Sequence, residues 1–218
     1  NEEQAPDLIG QFGVGFYASF MVADKVTVIS RLAGETEAVK WTSEGRGQYT
    51  LEDTERSGRG TDIILHLKED ESEWLQEWTL RSTVKKFSDY VEHAIVMDVE
   101  KETPAPEEGG EPIKTVTEEQ LNSAKAIWLR SRGEVQDEEY KDFYKAISRD
   151  FGDPARWIHY RAEGTLEFNT LLFIPQNKPF DLFQGEDRKS SLHLYVNRVQ
   201  IMDDCEALLP GWLRFVKG

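Results

Sequence analysis

Three glycines stand where they could do chemistry. Gly10, Gly13 and Gly15 form a G-x-x-G-x-G run directly ahead of an apolar helical pattern within Leu8 to Val28, LIGQFGVGFYASFMVADKVTV. The first N–H groups of a helix have no intrahelical acceptor, and residues without a β-carbon let an anion come close to them. The spacing therefore predicts a phosphate cradle built from main-chain amides. Nothing in the stretch supplies an acid, a base or a nucleophile aimed at such an anion, so the chemistry must come from elsewhere. Taken alone, the run also describes a tight turn into a helix. The dinucleotide-binding fingerprint needs a strand in front and an acidic residue about twenty positions on, whereas Asn1 to Asp7 is polar and does not read as a buried strand.

No other residues are spaced for comparable chemistry. His66, His93, His159 and His193 stand singly beside one cysteine, Cys205, which leaves no zinc spacing, and no serine lies in a G-x-S-x-G elbow. Cys205 is surrounded by Asp203, Asp204 and Glu206, the opposite of the electropositive setting that activates a thiol. A single cysteine forms no intramolecular disulfide and fits a reducing compartment. The net charge of -15 and a pI near 4.8 argue against a bare polyanion such as DNA as the main partner. No apolar run approaches the eighteen residues of a membrane span. Neither nucleic acid nor a membrane is expected as a partner. An amide-built phosphate site is compatible with an acidic chain.

The elements that must position these residues read as two α/β pieces with a polar joint. Gly15 to Val22 places Phe16, Tyr17, Phe20 and Met21 at helical spacing, as packing residues. Strands are expected over Asp24 to Arg31, with Val26 and Val28 on one face, then over Val39 to Thr42, Tyr49 to Leu51 and Thr61 to Leu67, an antiparallel meander in outline. Ser72 to Ala94 reads as helix with a stripe of Leu75, Trp78, Val84, Phe87 and Val91 and a break near Leu80 to Ser82, followed by a strand over Ile95 to Val99. Asp98 to Glu119 carries eight acidic and two basic residues with three prolines and two glycines, the composition of a solvated linker. Thr117-Glu118-Glu119-Gln120 reads as a capping box ahead of a helix at Leu121. A helix from Asp137 to Asp150 presents Tyr140, Phe143, Tyr144, Ile147 and Phe151. Strands over 157–162, 166–174 and 192–201 follow, the middle one central because both its faces are apolar. Asp203 or Asp204 opens a last helix with Leu208, Leu209, Trp212, Leu213 and Val216 inside.

Several of these stretches resemble the 90-kDa heat-shock chaperone family. They are LIGQFGVGFYASFMVADKVTV, GRGTDIILHLKEDE at Gly58 to Glu71, EEYKDFYKAISRDFGDP at Glu138 to Pro154, and the run EGTLEFNTLLFIP, PFDLF and LYVNRVQIMDDCEALLPGWLRFVKG. The similarity runs in register over nearly all 218 residues. The short linker is similar to that of the bacterial type, without the long lysine- and glutamate-rich insert of eukaryotic cytosolic members.

The resemblance implies an α+β fold: the second half of a Bergerat-type (GHKL) ATPase α/β sandwich over residues 1–99, an acidic linker over 100–116, and the start of an α/β middle domain over 117–218. Gly10, Gln11, Phe12, Gly13, Val14, Gly15 and Phe16 would form the hinge of an ATP lid, the amides of the last four cradling the terminal phosphates. Thr61, in the Gly-Thr pair that opens a strand, would sit beneath the adenine; as a bare residue it is an ordinary strand threonine. Phe180, Leu182 and Phe183, with Trp157, would offer an apolar surface to non-native client proteins, while Trp212 reads as buried on its helical stripe. The implied function is that of a cytoplasmic, ATP-dependent chaperone working as a homodimer through a C-terminal domain outside this chain. Its cofactors would be ATP and magnesium, both held mainly by residues outside the chain. The rivals are another ATPase of the same superfamily, of mismatch-repair, topoisomerase or histidine-kinase type, and a nucleotide-free interaction module.

The chain starts at Asn1 and reads as a fragment. In the family the general base, a glutamate, lies upstream of the lid, and the arginine that reaches the γ-phosphate lies a little beyond Gly218. Hydrolysis needs a positioned water and relief of charge on the phosphoryl oxygens. The purified 218-residue chain is therefore expected to show no ATP turnover, measured as phosphate release; turnover that persists through Gly13→Asp, with contaminants excluded, would place the chemistry elsewhere.

Overall fold

A computed structural model describes residues 13–103, 113–178 and 192–218. The chain divides into two compact units, Asn1–Arg81 and Ser82–Gly218. Its sheets are all antiparallel and its helices few and short, the mixture of an α+β protein.

In the first unit a 3-10 turn over Val14–Ala18 continues into helix α1, Ser19–Val22, and then into strand β1, Ala23–Arg31. Strands β2 (Ala38–Ser43), β3 (Tyr49–Thr54) and β4 (Gly60–Leu67) follow. Their order is β3-β2-β1-β4, so β4 crosses back to pair with β1 instead of extending the expected meander. Residues directly opposite in an antiparallel pair share a face. Val26 stands between Ser43 and Leu65, Val28 between Trp41 and Ile63, and Ser30 between Val39 and Thr61. That face is mostly apolar; the other carries Thr27, Thr42 and the Lys40–Glu52 ion pair of 3.0 Å. The expected pairing of Val26 and Val28 on one face holds, and Val26 is wholly buried. Phe16 and Phe20 turn inward while Tyr17 and Met21 are exposed, because the short segment lays only one side on the sheet.

After β4 a 3-10 segment, Glu69–Leu75, leads to helix α2, Glu77–Phe87. The helix runs through Leu80 to Ser82 without the expected break. Leu75 and Trp78, assigned to its buried stripe, are 74% and 77% exposed.

In the second unit β5 (Val96–Thr103) pairs along its whole length with β6 (Ile113–Gln120). The ends of the segment read as linker are thus strands, and the Thr117 to Gln120 capping box is part of β6. Cross-strand hydrogen bonding satisfied the backbone that composition alone left to solvent. Asn122 fixes the exit of the pair: its side-chain oxygen accepts from the Ile95 N–H at 2.9 Å and its amide donates to the carbonyls of Val91 and His93. Buried Asp89 accepts from the Ser123 N–H at 2.8 Å and from Lys85 at 2.9 Å.

Helix α3 spans Asp137–Ser148, with a capping box formed by Gln136 and Glu139 and a left-handed Arg149 (φ 56) at its end. A second capping box joins Ser131 to Glu134. The helix lays Tyr140 and Tyr144 onto the pair β7 (Pro154–Ala162) and β8 (Phe168–Pro175). Tyr140 stacks on Trp157 at 5.3 Å between ring centres, and Tyr144 meets Phe173 at 5.5 Å. The Tyr144 hydroxyl donates to Asp150 at 2.8 Å, which with the Gly152 N–H holds that carboxyl below its usual range. His159 lies between Tyr140 and the carbonyl of Trp128, at 2.6 and 3.2 Å. Because the carbonyl only accepts, the Nε2 carries the proton and the Tyr140 hydroxyl donates to Nδ1.

The β8 strand has neighbours on both sides at Phe173, which pairs with Trp157 of β7 and exchanges two hydrogen bonds with Lys217. Its burial is nonetheless one-sided: Leu171 and Phe173 are buried, whereas Phe168 and Ile174 are exposed. Strands β9 (Leu194–Val196) and β10 (Val199–Met202) form a short hairpin. The expected final helix is absent. Residues after Met202 form turns and one 3-10 turn over Gly211–Leu213 behind Pro210, and Trp212 is 73% exposed where a helix would have buried it. No helix among the described residues is long and apolar enough to cross a membrane.

Phe173, fully buried between Tyr144 and Phe143, is the anchor of this core. Phe173→Ala is expected to destabilise the second unit by about 3–5 kcal/mol, the cost of a lost aromatic side chain and its cavity. Denaturant unfolding followed by Tyr and Trp fluorescence checks this, and a loss below about 1 kcal/mol would mean that the core lies elsewhere.

Candidate functional site

The glycine turn enters the described residues at Gly13. Its φ of 65° and ψ of 4° are left-handed, the conformation in which a residue without a β-carbon costs least. Gly13 caps the 3-10 turn with no side-chain cap on the N–H groups that follow. A β-carbon built at Gly13 or Gly15 would find no atom within 4 Å, so there is open space at both glycines of the turn. Gly10, Gln11 and Phe12 lie outside the described residues.

Contacts along the Val14–Val22 segment give its direction. Phe20 lies against Gly45, just beyond the Ser43 that pairs with Val26. Phe16 lies against Trp41, which pairs with Val28, at 5.7 Å between ring centres. Moving from Phe20 back to Phe16 therefore advances along β1 toward Ser30, where Thr61 is found. The segment doubles back over the sheet, and Gly13 points toward the Ser30 and Thr61 end. Its other end is tied to β4, since the Lys68 N–H donates to the Val22 carbonyl at 3.0 Å and Lys68 Nζ to that of Met21 at 2.6 Å.

Thr61 stands on the same face as Trp41 and the segment, with its hydroxyl 2.8 Å from that of Ser30. Next to it on that face, Ile63 is 55% exposed. The strand start is set by a clamp that the sequence did not disclose. Arg56 donates two 2.8 Å bonds to the two carboxylate oxygens of Asp62 and further bonds to the carbonyls of Gly58 and Arg59. The pairing raises the guanidinium pKa and holds the Asp62 carboxyl below its ordinary value. Gly60, with φ 126, turns the chain into Thr61, and a β-carbon built on it would lie 3.4 Å from that guanidinium. Trp41 against Phe16, Gly45 against Phe20 and Arg56 on Asp62 are contacts that the sequence reading did not mark; the Gly45-x-Gly47 spacing between two strands was the signal available for one of them.

Uncapped amides at the Gly13 turn are the chemistry of an anion site, and Thr61 and Ile63 stand at the end of the sheet toward which that turn points. Among the described residues no three His, Cys, Asp or Glu side chains converge as metal ligands. Of the residues expected to meet clients, Trp157 is half-buried with its ring stacked on Tyr140, and Phe180, Leu182 and Phe183 lie outside the described residues.

Comparison with known proteins bears on this geometry. Residues 106–218 match the family described as Hsp90 protein. Across its whole length the chain is 56% identical to a protein of Geobacter sulfurreducens named Chaperone protein HtpG, covering 35% of that protein. It is 54% identical to the protein of the same name from Geobacter metallireducens, again over 35% of its length, and 52% identical to that of Mycobacterium avium, over 34%. The chain thus spans about a third of the length of the curated relatives it matches.

Proposed function

The chain belongs to the Hsp90 family, and on that premise we propose that it is part of an ATP-dependent molecular chaperone in which Gly10 to Phe16 are the hinge of a lid over the nucleotide. The observation that carries the reading is the reversal of Val14–Val22 over the sheet, which brings the Gly13 amides and the Thr61 hydroxyl to one end of one face. In this reading the amides of Gly13, Val14, Gly15 and Phe16 hold the terminal phosphates, and Thr61 meets the adenine. The open side of Ile63 gives the base an apolar bed. Bound ATP supplies a phosphoryl group whose release lets the lid relax. The chain's own part is to bind and orient, with left-handed Gly13 as the pivot.

Residues 1–99 then belong to the nucleotide-binding domain and 117–218 to the beginning of a middle domain that receives clients. Pairing of β5 with β6 sets the residues that flank the acidic connector, Thr103 and Ile113, side by side. Homodimerisation, a cytoplasmic location and magnesium as the nucleotide's counter-ion belong to the same proposal. Family membership favours it over the mismatch-repair, topoisomerase and kinase readings; a nucleotide-free module is the outcome that a failed titration would support.

Isothermal titration of a non-hydrolysable ATP analogue against a longer protein, beginning about a hundred residues upstream of Asn1, tests the site. Gly13→Asp places a negative side chain on a left-handed residue at the phosphates and is expected to weaken binding by at least about a hundredfold. Unchanged affinity would remove the cradle. For the client surface, Phe180→Ser with Leu182→Ser is expected to lower suppression of client aggregation at an unaltered melting temperature, and full suppression by that variant would remove the loop from the surface.

A further inference from the structure

The turn between β2 and β3 meets the glycine segment where Gly45 lies against Phe20. A β-carbon built on Gly45 would lie 2.9 Å from Phe20 Cδ1 and 3.1 Å from its Cγ, closer than side chains tolerate. The φ of Gly45, +71°, is left-handed as well. The turn is preset independently of Phe20, because the buried Ser43 hydroxyl accepts from the Gly45 N–H at 3.1 Å and donates to the Gln48 carbonyl at 2.7 Å. A β-carbon added at Gly45 therefore crowds the ring, besides the backbone strain that a side chain meets at this φ. Phe20 and Phe16 are four residues apart and lie on one side of the segment, their rings edge to face at 6.4 Å. Phe16 in turn rests on Trp41, whose other neighbour is Tyr49 at 6.3 Å. Lys68 holds the far end of the segment, so these two rings set its roll and tilt.

We infer that Trp41 and Gly45 are positioning residues for the Gly13 to Phe16 amides, acting through Phe16 and Phe20: the β2–β3 side of the sheet is the template against which the phosphate cradle is aimed. The inference rests on the nucleotide reading above and adds to it a residue set that touches no ligand. Amide donors aimed at an anion lose much of their value when misdirected by about 1 Å, whereas contacts to the base, near Thr61 on β4, do not pass through Phe20.

The test compares ATP with adenosine as probes, titrated against the longer protein. Gly45→Ala is expected to weaken ATP about tenfold and adenosine less than about twofold. Phe20→Leu in the same chain, which shortens the ring that was displaced, is expected to recover most of the loss. Trp41→Leu, which adds no backbone strain, is expected to show the same selectivity for the phosphates and decides the matter if Gly45→Ala proves insoluble. A merely structural role would weaken both probes in parallel with the melting temperature and would show no recovery by Phe20→Leu; that result, or unchanged ATP affinity in both variants, overturns the inference. Should Gly13→Asp weaken ATP while Gly45→Ala and Trp41→Leu do not, the positioning role alone falls. Should Gly13→Asp also be silent, the nucleotide reading falls with it.

Discussion

Strand β1 is the constraint on which the first unit depends. It is paired on both edges, to β2 and to β4, and its Val26 and Val28 form the ridge over which the preceding residues fold back. Antiparallel pairing puts Trp41 and Ile63 on either side of Val28 and Thr61 beside Ser30, so a single register assigns every residue of the candidate site to one face. A slip of one position would send Trp41 and Thr61 to the face of Lys40 and Glu52 and leave Phe16 without a seat. The site has few convergent side chains of its own; it is an alignment of backbone and aromatic surface imposed by that register.

The second unit solves a different problem with the same economy. A two-stranded pair is marginal alone, and β7–β8 is made stable by one helix that contributes two tyrosines to its buried face. Each tyrosine buries its ring and satisfies its hydroxyl, Tyr140 through His159 and Tyr144 through Asp150. Rings from Tyr90, Trp128 and Tyr195 extend the packing beyond the helix, and Phe143 of the helix joins them. The exposed apolar side chains elsewhere, among them Ile158, Tyr160 and Phe168 on the other face of the pair, are those for which this single layer of helix provides no cover.

Local signals were legible where the chemistry is local. The alternation of Val26 and Val28, the left-handed turn at Gly13 and the period of Tyr140, Phe143, Tyr144 and Ile147 could each be read from neighbours in sequence, because strand, turn and amphipathic helix express short-range preferences. The strands at the two ends of the acidic stretch, β5 and β6, were not legible for an equally physical reason. Glutamates and threonines with no apolar period carry no sign of a strand whose hydrogen bonds come from a partner ten or more residues away. The helix expected after Asp204 failed because Leu208 and Trp212 have helical spacing but are left exposed, and Pro210, past the first turn, has no N–H to donate and would clash with the carbonyl of Glu206.

By itself, the sequence determined which residues carry the family's pattern, that a bare-amide turn opens at Gly13, and that the chain is acidic and α+β in character. Those properties reside in side-chain type and short spacing. Tertiary structure alone decided that β4 returns to β1, that Val14–Val22 reverses direction, and that Gly45, Trp41 and Arg56 stand behind the site. Each of these joins positions between 6 and 44 residues apart, where the outcome depends on strand register and ring contact, quantities that no local pattern encodes.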